Sequence, residues 1–176
     1  TMAPKIGALI DEGILNIVGG CCGTDDHFIA RYVELARGKQ PYVPCDRSEY
    51  LQLSGLEPLE GRQGMFVNGG ERCNVAGSRK FLRLVKEKNY EEALTIARHQ
   101  VSDGAMVVDV NMDDALLDAE AEMSHFLRLL TSEPDVARVP VMIDSSKWNV
   151  ILAGLKCCQG KSVVNSISLK EGEDVF

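Results

Sequence analysis

The sequence lacks long apolar runs, an excess of basic charge and a regular cysteine framework. No stretch of 18 apolar residues occurs and the amino terminus has no signal-peptide core, so neither a membrane span nor a secretory leader is expected. The formal net charge of −7 argues against nucleic-acid binding. Six cysteines without regular spacing do not indicate a secreted disulfide scaffold and favour a reducing, cytoplasmic location.

A nucleophile paired with a base is also missing. The three histidines, His27, His99 and His125, all fall on predicted helices or at their starts, where solvated or packing roles are expected. No Ser–His or Cys–His dyad can be placed, and no catalytic residue is assigned.

Short apolar segments alternate with helical patterns through most of the chain. Strands are predicted at 66–67, 105–110, 141–143 and 162–164, and helices after residue 78 and at 90–103, 115–130 and 148–158. Strands that are apolar on both faces belong to parallel sheets covered by helices. The prediction is an α/β protein of the (β/α)8 TIM-barrel type, of which this part holds about half a barrel.

Residues 1–65 follow a different pattern. A helix is predicted at 2–12, a short buried strand at 15–18, and a further helix that ends at Gly38. Scattered prolines, glycines and charges interrupt residues 39–65, where no regular element is expected. This segment is predicted to be a linker that leads into a cap on the following domain.

Polar residues stand where the predicted strands of the half-barrel end. They are Asn68 with Glu71, Asp109 with Asn111, Asp144, and Asn165. Carboxylates and carboxamides together suit a planar heterocycle that offers N–H donors beside acceptors. Single residues of these types also cap helices, so the hypothesis of a heterocycle-binding site depends on their recurrence after successive strands.

The stretch from Phe66 to Phe81 combines a short strand, a polar loop with glycines, and a helix start capped by Ser78. Open backbone N–H groups and the helix dipole there favour an anionic or acceptor-rich ligand, although ordinary turns have the same pattern.

Two adjacent cysteines, Cys21 and Cys22, follow the strand predicted at 15–18 and are flanked by glycines. Such a pair can reach one zinc ion, but two ligands do not complete a site, and a buried inert pair is the alternative. Cys157 and Cys158 lie at a helix end without glycines and are predicted to be structural.

Six motifs together carry a resemblance to a known family: GGCCGT (19–24), LSGLEP (53–58), GERCNVAGSRKF (70–81), DVNMDD (109–114), MIDSSKW (142–148) and VNSISLKEG (164–172). The chain resembles cobalamin-dependent methionine synthases, with the motifs in the family's order. One departure is Gly69, where the family usually has an apolar residue, so the first strand is expected to be weakened or to end early.

The resemblance implies that residues 1–38 form the last βα unit of a homocysteine-binding barrel. Cys21 and Cys22 would bind zinc with a third cysteine outside this chain, and homocysteine sulfur would fill the open position. Residues 39–65 would be the inter-domain linker and cap, and residues 66–176 the first four strands of the barrel that binds 5-methyltetrahydrofolate.

Within that second barrel, the resemblance implies that Asp144 and Asn165 hydrogen-bond the pterin ring, with Asn111 on the same face. Gly77, Ser78 and Arg79 match a loop that contacts folate. Transfer of the methyl group from folate N5 to cobalamin needs a hydrogen bond or proton at N5, and no residue is assigned to this role.

The cobalamin module, the activation module that involves S-adenosyl-L-methionine, and the rest of the folate barrel are not in this chain. We therefore expect the chain to be inactive alone. Two alternatives stay open: a non-catalytic folate- or zinc-binding module, and another pterin-barrel enzyme such as a corrinoid-protein methyltransferase or a pteroate synthase.

Overall fold

The computed structural model describes residues 2–43, 50–174 and 176, and the chain divides into two compact units, Thr1–Arg47 and Ser48–Phe176. None of the described helices is long and apolar enough to cross a membrane.

The first unit is a helix pair. Helix α1 (Met2–Asp11) ends just before Gly13, whose φ of +71° is a conformation that glycine adopts readily. Helix α2 (Asp26–Ala36) begins after Asp25, whose side chain accepts a hydrogen bond from the Phe28 N–H. Ile10 and Tyr32 are the buried side chains that join the two helices to a small apolar interior.

The strand predicted at 15–18 is wrong. Residues 14–20 form an irregular loop, and Ile17 is 90% exposed. A strand needs a neighbour for its backbone N–H and C=O groups, and no strand lies within residues 2–43. Instead, Asn16 binds the backbone of Tyr42 through both its Oδ1 and its Nδ2.

The second unit begins with a hairpin inside the predicted linker. Strands β1 (Leu51–Ser54) and β2 (Pro58–Gly61) are antiparallel. The expectation that residues 39–65 hold no regular element is therefore wrong for this segment. Cys45 lies outside the described residues. The Leu56 N–H donates to the Ala137 carbonyl at 2.9 Å, and the Ser54 N–H to that of Lys161 at 3.1 Å. Both acceptors precede strands of the main sheet, so the hairpin covers the amino edge of that sheet.

The main sheet has four parallel strands in the order β3–β4–β5–β6. They are β3 (Gly69–Asn74), β4 (Val107–Asn111), β5 (Val141–Asp144) and β6 (Val163–Asn165). The connecting helices are α3 (Arg79–Lys86), α4 (Tyr90–Ser102), α5 (Ala119–Leu130), α6 (Pro134–Ala137) and α7 (Trp148–Leu155), and a 3-10 turn at Leu169–Glu171 follows β6. Strand order therefore follows chain order, as the sequence predicted.

The first strand is displaced from its predicted position. The structure places β3 at Gly69–Asn74, whereas Phe66 lies outside the sheet and is 83% exposed. Position 70 is close to α4, because a Cβ there would come within 2.8 Å of Gln100 Oε1 and 3.1 Å of the Ala105 Cβ, so a larger residue would require Gln100 to move. The two glycines that the sequence pattern assigned to a loop thus begin the strand.

The core lies between the sheet and the helices. Val108, Val110 and Ile143 are fully buried on the helix-facing side of the sheet. Phe81 and Phe126 join α3 to α5 edge to face, with ring centroids 5.2 Å apart. Since alternate residues of a strand point to opposite faces, Asp109 and Asn111 point away from this core.

Candidate functional site

Four polar residues lie side by side at the carboxyl edge of the sheet. The register pairs Asn74 with Asn111, Asn111 with Asp144, and Asp144 with Asn165, one from each strand. We call these four residues the polar row. Since the side chains of paired residues on neighbouring strands point to the same face, the row presents its groups to one side of the sheet.

The carboxylate of Asp144 is held between two carboxamides. Asn111 Nδ2 donates to Asp144 Oδ2 at 3.0 Å, and Asn165 Nδ2 donates to Asp144 Oδ1 at 3.2 Å. Each carboxylate oxygen keeps acceptor capacity for a further donor. Asp144 is only half-buried, so a ligand can reach it.

Backbone groups set the orientation of the carboxamides. Asn111 Oδ1 accepts the Asp113 N–H at 2.8 Å, which turns its Nδ2 toward Asp144. Asn74 Oδ1 accepts the N–H groups of Ala76 and Gly77 at 2.8 and 3.0 Å. The strand-end loops therefore leave the amide donors of Asn74 and Asn111 to face the carboxylates.

Asp113 ties two of these loops together. Its carboxylate accepts the Ser145 hydroxyl at 2.7 Å, and the Ser146 N–H and hydroxyl at 2.8 Å each. Burial opposes ionisation of Asp113, but these donors and the nearby Lys147 hold its pKa below the ordinary value. Asp113 thus fixes the segment that directly follows Asp144.

Asp109 lies beneath the row. It is 2% exposed, and neither carboxylate oxygen accepts a hydrogen bond of ordinary geometry from the described residues. Burial and the neighbouring charge of Asp144 raise its pKa from 3.8 to about 6, a rise that nearby Asn74 partly offsets and Glu71 adds to. Asp109 is therefore a buried carboxyl group next to the row, whose ionisation is opposed by burial and by the charge of Asp144.

Of the other predicted residues, Ser78 caps α3 by accepting the Phe81 N–H at 3.2 Å. Gly77 and Arg79 flank it, and Arg79 is exposed and makes no ion pair with the described part of the chain. Their contact with folate stays a prediction. Asn68 was wrongly placed at a strand end: its side chain donates to the Gly104 carbonyl and its own carbonyl accepts the Met106 N–H, so it lies at the amino edge.

Sequence reasoning missed Asn74. It occurs in the quoted motif GERCNVAGSRKF, but the strand was placed too early for Asn74 to be recognised as its last residue. The recurrence of Asn or Asp at the other strand ends is the signal that could have identified it.

A cavity of about 220 Å³ adjoins the loops after β5 and β6, where Ser146, Trp148 and Ser166 line it. Another of about 290 Å³ lies at the amino edge of the sheet, beside Pro58, Gly104 and Arg138. That second cavity contains none of the predicted residues, so size alone does not locate the site.

Cys21 and Cys22 are exposed in the first unit, with their sulfur atoms 4.0 Å apart. Two thiolates bound to one tetrahedral zinc at about 2.3 Å stand roughly 3.8 Å apart, so the pair fits as two ligands of one ion. No group of three or more His, Cys, Asp or Glu that could hold a metal occurs in the described part of the chain. Zinc at this pair stays a prediction.

A comparison with family models matches residues 70–175, more than half of the chain, to the model described as pterin binding enzyme. The match begins inside β3 and extends past β6, so it includes the whole polar row. It also accounts for the parallel sheet as part of a TIM-barrel-type fold. The chain belongs to the pterin-binding enzyme family.

Proposed function

We propose that the polar row binds the pterin ring of 5-methyltetrahydrofolate and that this chain is a segment of a methionine synthase. The observation that carries the proposal is the position of Asp144 between Asn111 and Asn165 on one rung of the sheet. The family match supports a pterin or folate substrate, and the six motifs support the particular enzyme.

The chemistry of the ring fits the groups of the row. The amino-pyrimidinone edge of a pterin offers an exocyclic amino group and a neighbouring ring N–H, which a single carboxylate can accept together. Asp144 supplies that carboxylate. The two carboxamides hold it in place before the ligand arrives, which reduces the ordering cost of binding.

The remaining parts of the proposed reaction lie outside the polar row. A cobalamin held by another module would supply the methyl carrier between 5-methyltetrahydrofolate and homocysteine, which would become methionine. Cys21 and Cys22 would hold the zinc, which keeps a homocysteine sulfur in its thiolate form at neutral pH.

Titration of 5-methyltetrahydrofolate into the 176-residue chain, followed by calorimetry, tests the proposal. Asp144→Asn should weaken binding by about 1.5–3 kcal/mol, because it removes a charge-assisted hydrogen bond. Asp135→Asn is the matched control, since Asp135 is exposed on α6 and far from the row in the topology. Equal affinity of wild type and Asp144→Asn would remove Asp144 from the site.

A second titration addresses the alternative of a different pterin enzyme. A methionine synthase segment should bind the N5-methylated tetrahydrofolate more tightly than a 7,8-dihydropterin. The opposite preference would favour a pteroate synthase.

A further inference from the structure

The cavity at the amino edge of the sheet has no part in the proposed function. It measures about 290 Å³ and lies between the β1–β2 hairpin and the segments that lead into β4 and β5. We call it the amino-edge cavity. Two charged residues line it, Glu57 from the turn of the hairpin and Arg138 from the end of α6. Glu57 belongs to the motif LSGLEP, which has no role in the polar row.

The walls of the amino-edge cavity favour an apolar group. Leu59, Val101 and Met106 line it, and the flexible thioether of Met106 can adapt to ligands of different shape. Pro58 and Pro140 also line it and have no backbone N–H, so they offer no donor to a polar ligand. Transfer of an aliphatic side chain from water into this cavity is therefore favourable.

The two charges at the cavity lie close together but do not form a hydrogen bond. Arg138 Nη1 is 3.9 Å from Glu57 Oε2, which is beyond hydrogen-bonding distance. Neither side chain makes a hydrogen bond or another ion pair with the described part of the chain. The side chains are 46% and 64% exposed, so the pair contributes little to stability. Both charges are therefore available to a ligand.

The backbone fixes the positions of these two residues. The Glu57 N–H donates to the Arg138 carbonyl at 3.0 Å. The hairpin approaches this segment so closely that a Cβ on Gly55 would come within 2.4 Å of the Val139 carbonyl oxygen, which only glycine avoids. The cavity and its charges are thus in place before a ligand arrives, which lowers the ordering cost of binding.

We propose that the amino-edge cavity binds an α-amino acid with an apolar side chain. The ligand carboxylate pairs with the Arg138 guanidinium, the ammonium group pairs with the Glu57 carboxylate, and the side chain enters the apolar part of the cavity. An α-amino acid carries its two charges on neighbouring groups, so one zwitterion satisfies both protein charges. The volume of about 290 Å³ is close to the lower limit of ligand pockets and suits a molecule of this size.

Titrations of L-methionine and L-leucine into the 15N-labelled 176-residue chain test the proposal. An amino acid in the amino-edge cavity should shift the backbone amide resonances of Gly104, Ala105 and Met106 with one dissociation constant. Two derivatives of methionine each lack one charge: N-acetyl-L-methionine has no ammonium group, and L-methioninamide has no carboxylate. Each should bind wild type at least about 10-fold more weakly than L-methionine, because a charge-assisted hydrogen bond is lost.

Two variants identify the partner of each charge. Arg138→Gln should abolish the preference for L-methionine over L-methioninamide and retain the preference over N-acetyl-L-methionine. Glu57→Gln should have the reverse effect. Both side chains are exposed, so the amide spectra away from the cavity should stay unchanged in each variant. Arg128→Gln is the matched control, because Arg128 is an exposed arginine on α5, and it should retain both preferences.

Three results would overturn the proposal. They are no shift with either amino acid, equal affinity for L-methionine and its two derivatives, and shifts confined to the residues of the polar row. Equal affinities would identify an apolar groove to which the two charges contribute nothing. Each of these results leaves the proposed function intact, because the amino-edge cavity shares no residue with the polar row.

Discussion

The candidate functional residues of the two units are positioned in different ways. In Ser48–Phe176, the polar residues end neighbouring strands, and the register of a parallel sheet brings them together in one row. In Thr1–Arg47, Cys21 and Cys22 are adjacent in sequence and lie exposed on a loop, and residues 2–43 contain no strand beside them.

The difference shows what makes a strand-end residue part of a site. A parallel sheet aligns residues that are more than 30 positions apart, such as Asn111 and Asp144, because each strand is fixed by its neighbours. The cysteine pair is held by a local turn instead, in which Thr24 donates to the Cys21 carbonyl through its N–H and its hydroxyl. The site of the second unit therefore depends on contacts between distant strands, whereas the cysteine pair depends on contacts within a few residues.

The largest expected effect is the loss of core packing in the second unit. Phe126→Ala should lower the free energy of unfolding by about 3–5 kcal/mol, because Phe126 is fully buried against Phe81. Val33→Ala in the first unit should cost under about 0.5 kcal/mol, since Val33 is 55% exposed. Urea denaturation followed by circular dichroism measures both, and similar losses would contradict the comparison.

The buried carboxyl group of Asp109 should make the stability of the second unit depend on pH. Because its pKa is raised in the folded state, its contribution to stability is present below pH 3.8 and is lost as pH rises through about 6. The difference between these two pKa values corresponds to a change of about 3 kcal/mol in the free energy of unfolding.

Asp109→Asn should therefore stabilise the protein at pH 8 and remove this part of the pH dependence. Unfolding free energies between pH 4 and pH 8 check the prediction, with the exposed Asp103→Asn as control. A pH dependence identical in wild type and Asp109→Asn would show that Asp109 does not carry it.

Asp113 is expected to show the opposite pH dependence. Its pKa is lowered in the folded state, so its contribution is present above the unfolded pKa and is lost as pH falls through the folded value. Asp113→Asn should cost about 1–3 kcal/mol at pH 7, because the carboxamide is uncharged and has a single acceptor oxygen for the three donors of Ser145 and Ser146. Thermal denaturation at pH 7 measures the loss; an unchanged melting temperature would argue against the tie between the two loops.

The smallest expected effect concerns the cysteine pair. Cys21→Ala and Cys22→Ala should each change the unfolding free energy by less than about 0.5 kcal/mol, because both side chains are exposed. A loss above about 1 kcal/mol in the metal-free chain would show that the pair is structural, as the alternative sequence interpretation holds.

Much of the second unit could be predicted from the sequence. The strands β4, β5 and β6 and helices α3, α4, α5 and α7 were placed correctly to within a few residues, because their apolar patterns and caps agree with the fold. Helix α5 begins at Ala119, later than predicted, since Asp118 supplies the cap that fixes its start.

The errors have a common physical cause. Apolar runs at 15–18 and 66–67 predicted strands that lack hydrogen-bonding neighbours, while the glycines at 69–70 begin a strand that the sheet and α4 stabilise. The hairpin β1–β2 is likewise held by the backbone of residues 137–138 and 161. Such partners are distant in sequence, so local patterns do not reveal them.

The most direct test of the polar row is the side-chain amide spectrum of the 15N-labelled chain during a 5-methyltetrahydrofolate titration. The Nδ2 resonances of Asn74, Asn111 and Asn165 should shift together with one dissociation constant, because all three belong to one site. Shifts confined to Asn68 at the amino edge, or three unchanged resonances while heat is released on binding, would contradict it.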